Sequence, residues 1–308
     1  MKRVVVSMSA VVAVVAAVTT GCTQGTGAPG STRPAPNDGT RSPGRDLTDA
    51  EQIVVDRAEQ LLVKKCMERK GFRYWVGPIA GLADRRGNGY VLDDVAWAKR
   101  YGYGRELAEK ARKAQENDPN HPYANGLPEA ERIRYSLALE GGPSTGVLSV
   151  ELPGGGTIGT PRGGCLAAAK GELYGDFPTW FRADKTVSNL TPLYVPDLVK
   201  DKRFVHAVAA WSACMREAGH RYADPPELRE KRSELTKGLS AAQTRTTEVE
   251  LAVAEATCAT ETSLGDTARA LEREYRGRLH RYAEDIATRQ RMALAALSRA
   301  EGVTGPTA

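Results

Sequence analysis

Aromatic side chains are scarce in this chain of 308 residues: four Trp, four Phe and eleven Tyr, 6% in all. Histidine is scarcer still. His121, His206, His220 and His280 stand at no spacing that builds a metal site or a catalytic triad. No two cysteines are separated by two to four residues, which excludes the common structural zinc sites. Neither sign of charge dominates, with 43 basic and 38 acidic residues spread along the chain. So even a distribution lacks the clustered basic face that nucleic acid requires, and no nucleic-acid partner is expected. Gly154-Gly155-Gly156 precedes no helical pattern, so nothing there cradles a phosphate. Gly142-Pro143-Ser144-Thr145-Gly146 has the G-x-S-x-G spacing of a hydrolase nucleophile. That motif must follow a strand and open a helix, and here a helix precedes and a strand follows. No catalytic residue, metal or cofactor is expected, and the chain reads as non-enzymatic.

Long apolar runs are missing too, except at the start. Lys2 and Arg3 precede Val4–Val18, an uncharged stretch of fifteen residues. Spanning a bilayer takes about 20 apolar residues, so this stretch reads as the core of a signal peptide covering residues 1–21. Val18-Thr19-Thr20-Gly21-Cys22 resembles a bacterial lipobox, with Thr19 where a larger aliphatic residue is usual. The resemblance implies cleavage before Cys22 and a thioether-linked diacylglycerol on its sulfur. Two acyl chains anchor stably where one would be marginal. The expected location is the cell membrane, lipid-anchored on its extracytoplasmic side. Residues 22–47, rich in Gly, Pro, Ser and Thr, form a flexible linker with no pattern able to nucleate a core.

Five cysteines are present, and four remain beside Cys22: Cys66, Cys165, Cys214 and Cys258. An even number in an exported chain favours two disulfides, with three possible connectivities. Their surroundings carry the strongest internal signal. Cys66-Met67-x-x-x-Gly71-Phe72-Arg73-Tyr74 recurs as Cys214-Met215-x-x-x-Gly219-His220-Arg221-Tyr222. With the cysteines aligned, matching Met, Gly, Arg and Tyr by chance has odds on the order of one in 10⁵–10⁶. The chain contains a repeat.

Each copy spells a helix and its stop. Thr48-x-x-Glu51 is a capping box, and Val54, Ala58, Leu62 and Cys66 follow on one face. Val208, Trp211 and Met215 form the matching stripe in the second copy. Gly71 and Gly219 are placed to end the helices in the left-handed conformation. Pairing inside each repeat, Cys66–Cys165 and Cys214–Cys258, is the simplest connectivity. The alternative, Cys66–Cys214 with Cys165–Cys258, would staple the repeats together.

The fold expected is mainly α with a small β-hairpin, containing two disulfide-bonded helical repeats and a long C-terminal helix. The first repeat spans 48–180 and holds the hairpin, Val147–Leu152 and Thr157–Thr160 about a glycine-rich turn. Residues 181–202 read as a connector, poor in periodicity and rich in proline. The second repeat and C-terminal helix span 203–302. Leu271, Tyr275, Leu279, Tyr282, Ile286, Ala293 and Leu297 mark that helix, expected over Asp266–Glu301 and packed on Glu227–Thr262.

Lipobox, polar linker and paired Cys-Met-x-x-x-Gly-aromatic motifs together resemble uncharacterised lipoproteins of actinobacteria. Tyr101-Gly102-Tyr103-Gly104 and Leu173-Tyr174-Gly175-Asp176 belong to that resemblance, which implies no activity. One patch suggests ligand binding: Trp97, Tyr101 and Tyr103, with Arg100 beside them, could stack on sugars and grip anionic groups. The same i, i+4 spacing also suits a core stripe. The function expected is binding, sensing or scaffolding in the cell envelope, with a cell-wall polymer or an envelope protein as partner. The alternatives are a substrate-binding lipoprotein of an importer and a cell-wall enzyme.

Overall fold

The computed structural model describes residues 44–87 and 89–305. The signal segment 1–21, Cys22 and the linker up to residue 43 lie outside them. The chain is mainly helical. Helices α1 (Asp49–Arg69), α2 (Leu82–Arg85), α3 (Val95–Tyr101), α4 (Arg105–Glu116), α5 (Asn120–Gly126) and α6 (Glu129–Glu140) come first. Strands β1 (Val147–Glu151) and β2 (Thr157–Pro161) then form an antiparallel hairpin in which Ser149 faces Gly159. Helices α7 (Gly164–Tyr174), α8 (Phe177–Ser188) and α9 (Thr191–Leu198) lead to α10 (Lys202–Glu217), α11 (Pro225–Leu235) and α12 (Ala241–Glu261). Helices α13 (Leu264–Gly277) and α14 (Ala283–Thr304) close the chain. Among the described residues, no helix is long and apolar enough to cross a membrane.

The repeat motif does the same work twice. Thr48 and Glu51 cap α1 reciprocally, the Thr48 N–H donating to the Glu51 carboxylate at 2.8 Å. At the other end Gly71 takes φ +84°, and the Phe72 N–H turns back to the Met67 carbonyl at 3.0 Å. Helix α10 ends alike: Gly219 takes φ +88°, and the His220 N–H donates to the Met215 carbonyl at 2.7 Å. Met67 and Met215 are both fully buried. Each such side chain contributes about 1.5–3 kcal/mol by leaving water.

Both expected disulfides are present. Cys66 joins Cys165 and Cys214 joins Cys258, each pair with Cα atoms 5.6 Å apart. The first bridge depends on a close crossing. A Cβ on Gly164 would lie 2.3 Å from the Gly141 nitrogen, so the start of α7 meets the end of α6 only as glycine. That contact sets Cys165, the next residue, against α1.

The two repeats exchange elements. One core holds Val55, Leu62 and Met67 of α1, Leu173 of α7 and Phe181 of α8, together with Ala293, Ala296 and Ala300 of α14. Helix α14 thus packs on α1, α7 and α8, while α3 of the first repeat packs on α12 of the second. A second core gathers Trp211, Met215, Leu251 and Leu264, and a third joins Leu190 and Tyr194 to Phe204 and Leu271.

Two readings of the sequence change. The connector over 181–202 is largely helical: within it α8 and α9 carry buried Phe181, Val187 and Tyr194. Of its two prolines, Pro192 sits in the first turn of α9, where a missing N–H costs nothing, and Pro196 stands inside that short helix. The C-terminal stripe is real, but the helix expected over Asp266–Glu301 breaks after Gly277 and passes through a 3-10 turn at His280–Tyr282. Its two parts serve different cores. Leu271 through Ile286 lie with α9 and α10, and Ala293 through Leu297 with α1. Glycine at the end of α13 weakens the helix there, and the stripe changes partners further on, within α14, between Ile286 and Ala293.

Candidate functional site

A cleft of about 510 Å³ opens where α1, α7, α8, α9, α13 and α14 converge. Its volume falls in the range of about 300–1,000 Å³ usual for small-molecule sites. One wall follows from helical periodicity. Asp49, Gln52, Asp56 and Glu59 recur along α1 at i, i+3, i+7 and i+10, a polar stripe beside the apolar one of Val55, Ala58 and Leu62.

Cations from other elements meet that stripe. Lys170 on α7 binds Glu59 at 2.6 Å, and Arg85 on α2 binds Asp56. From α14, Arg289 reaches Asp46 at 3.2 Å and Asp184 at 3.3 Å, while Arg276 of α13 lies 3.6 Å from Asp46. Opposite, the Tyr194 hydroxyl donates to Glu272 at 2.8 Å. Burial pushes the Tyr194 hydroxyl up to about 12, so it stays protonated and remains a donor.

Aromatic rings form the floor. Tyr174 and Trp180 stack face to face, their centroids 3.7 Å apart and their planes within 7°. Burial raises the Tyr174 hydroxyl as well, keeping it neutral. Stacked rings, several carboxylates and fixed cations around one hollow can hold a polar, hydroxyl-rich molecule: the rings cover its apolar faces, and charged groups take its hydroxyls.

A second hollow of about 380 Å³ shares Asp49 and Arg85 with the cleft and continues it toward α13. There Arg269 binds Asp93, and also Asp266 at 2.7 Å. Among the described residues, no group of three or more His, Cys, Asp or Glu could hold a metal ion.

The aromatic patch read from sequence lies elsewhere. Trp97 is buried against Ala252 and Ala256 of α12, and its indole N–H donates to the Ala83 carbonyl at 3.1 Å. Tyr101 packs beside Trp97 with Arg100 over its ring, and Tyr103 donates to buried Glu255 at 2.8 Å. The structure brings Trp97, Tyr101 and Tyr103 together as packing between α3 and α12, and none of the four residues lines the cleft. The pairing of Tyr174 with Trp180 leaves no local signal, because the two stand six residues apart across a helix break at Gly175. The polar stripe on α1 was the available signal. Of the eight C-terminal arginines, Arg269, Arg276 and Arg289 close ion pairs with distant acids, while Arg273, Arg278, Arg281, Arg291 and Arg299 are exposed.

No known protein family, curated protein or solved structure matches the chain.

Proposed function

We propose that this chain is a lipid-anchored, extracytoplasmic protein of the cell envelope, non-enzymatic, that holds a hydroxyl-rich envelope molecule in the cleft between its repeats. The observation that carries the reading is the position of Asp46. This residue stands where the linker enters the folded body, and it is itself part of the cleft wall, tied to Arg276 and Arg289. A cleft at the root of the tether is tied to whatever the tether is fixed to. With Cys22 acylated, the twenty-four residues up to Asp46 span at most about 80–86 Å. That keeps the cleft close to the membrane and the polymers next to it. Two disulfides support the same reading, since such bridges form and persist in oxidising compartments.

The test has two arms. Intact-mass measurement of protein extracted from membranes should give a chain beginning at acylated Cys22, and Cys22→Ala should leave the membrane fraction. Soluble wall-polymer fragments should bind the wild-type protein and bind Trp180→Ala at least tenfold more weakly. Unacylated protein beginning at Met1 in the cytosol would overturn the location. Equal binding by wild type and variant would overturn the role of the cleft.

A further inference from the structure

Six carboxylates line the cleft beside four cations, and each of those cations is already held. Lys170 is bound to Glu59 at 2.6 Å, and Arg85 to Asp56. Arg276 lies 3.6 Å from Asp46, while Arg289 pairs with both Asp46 and Asp184. Two carboxylates are left over. Asp49, in the first turn of α1, and Glu272, in α13, have no cation within salt-bridge distance among the described residues. Both are half-buried. Glu272 accepts the Tyr194 hydroxyl at 2.8 Å, a neutral donor that leaves its charge uncompensated.

The second hollow has the same imbalance. Asp49 lines it too, together with Asp84, Asp93 and Asp94. Its three arginines are all engaged: Arg85 by Asp56, Arg86 by Asp94 at 2.7 Å, and Arg269 by Asp93. Asp84 accepts the Gly81 N–H at 2.8 Å, across the start of α2. Asp49 therefore stands unmatched where the two hollows join. An anionic ligand must break an existing ion pair to find a cation here. A metal ion lacks a cage, since no three ligating side chains converge among the described residues. Carboxylates left uncompensated in a partly desolvated cleft favour an organic cation that brings its own hydrogen-bond donors.

We infer that the cleft selects an amine-bearing ligand, an amino sugar or a short oligomer of amino sugars, whose ammonium groups pair with Asp49 and Glu272. This rests on the reading of the cleft as a site for a hydroxyl-rich molecule, and it names the charge which that molecule carries. An ammonium offers three donors and no acceptor, so it matches a carboxylate that no side chain of the protein neutralises. N-acetylation removes the charge and leaves both carboxylates unmatched. Because Asp49 belongs to both hollows, a ligand of more than one ring extends from the cleft into the second hollow past this residue.

The probes are a tetramer of glucosamine with free amines and its fully N-acetylated counterpart, each titrated calorimetrically near pH 6 into the full mature chain with both disulfides intact. The amine form should bind at least tenfold more tightly. Raising sodium chloride from 50 mM to 500 mM should weaken its binding at least fivefold and leave the acetylated form unchanged. Asp49→Asn and Glu272→Gln remove charge without changing size, and the glutamine carbonyl still accepts from Tyr194. Neither variant should change the melting temperature. Each should narrow the preference, and the double variant should bring the two probes within threefold. Equal binding of the two probes by the wild type, tighter binding of the acetylated form, binding of neither, or a preference that survives in the double variant each overturns the inference. The cleft reading fails on a different result, equal binding of wall-polymer fragments by the wild type and Trp180→Ala, and a lost amine preference alone leaves it standing.

Discussion

Asp46 and Arg289 bond at 3.2 Å although 243 residues separate them in the chain. Arg289 also reaches Asp184, so one guanidinium ties the linker root, α8 and α14 together. Its side chain is 28% exposed, shielded enough for the pairs to matter. Arg289→Ala should therefore lower unfolding stability by about 1–3 kcal/mol, the range for a charged hydrogen bond removed from a partly buried site. Arg289→Lys should recover only part, because a single ammonium lacks the separated Nε and Nη1 donors with which the guanidinium meets Asp184 and Asp46. Urea denaturation measures both. A loss below about 0.5 kcal/mol for the alanine variant would show that the clamp does not hold these elements.

The disulfides should rank by loop length. Cys66–Cys165 spans 99 residues and Cys214–Cys258 spans 44. Chain entropy assigns them roughly 4–5 kcal/mol each, with the longer loop worth slightly more. Paired Cys→Ala variants of either bridge should melt well below the wild type, Cys66/Cys165 lower than Cys214/Cys258. Insensitivity of the wild-type melt to reductant would contradict both.

Much of this fold was legible because its signals are local. The capping box at Thr48 and Glu51, the glycine stops at 71 and 219 and the hairpin glycines all act within a few residues. The repeat favours the disulfide pairing that the structure shows, one bridge in each copy, but leaves the cross-pairing open. What sequence could not convey was which helix meets which. The stripe from Leu271 to Leu297 is continuous, yet it serves two cores, and the change falls within α14, between Ile286 and Ala293, rather than at the break after Gly277. The cleft is harder still to read. Glu59 and Lys170, or Asp46 and Arg289, are ordinary surface charges until tertiary packing joins them. Trp97 and Tyr101 show the converse. Their spacing is that of a binding stripe and of a core stripe alike, and only the neighbouring α12 decides between them.

Gly265 offers a test of the second hollow. A Cβ there would lie 2.0 Å from an Asp93 carboxylate oxygen, which Arg269 holds in place. Gly265→Ala should cost about 1–3 kcal/mol, the usual penalty for overpacking. Asp93→Ala removes the obstacle, so the double variant should be more stable than the sum of the two single losses by at least 0.5 kcal/mol. Strict additivity would mean that the two residues do not meet as described.

Glu255 should make stability depend on pH in a direction opposite to that of most carboxylates. It is 2% exposed and accepts the Leu92 N–H at 3.1 Å and the Tyr103 hydroxyl at 2.8 Å. Burial raises its carboxyl above the usual range, against the opposing pull of those two donors and of Arg229 and Arg232. The folded chain therefore keeps this proton to a higher pH than the unfolded chain does. The stabilisation it brings is fully present below the unfolded carboxylate value, about 4.3, and is lost as pH rises through the folded value. Glu255→Gln cannot titrate, and its side-chain carbonyl can still accept from the Leu92 N–H while its NH2 group donates to the Tyr103 hydroxyl oxygen. Unfolding free energies at pH 5 and pH 8 should show the wild type losing ground to Glu255→Gln across that interval. A difference between the two proteins that stays constant would mean that Glu255 is ionised throughout, and that α12 holds the segment from Leu92 to Tyr103 by a buried charge.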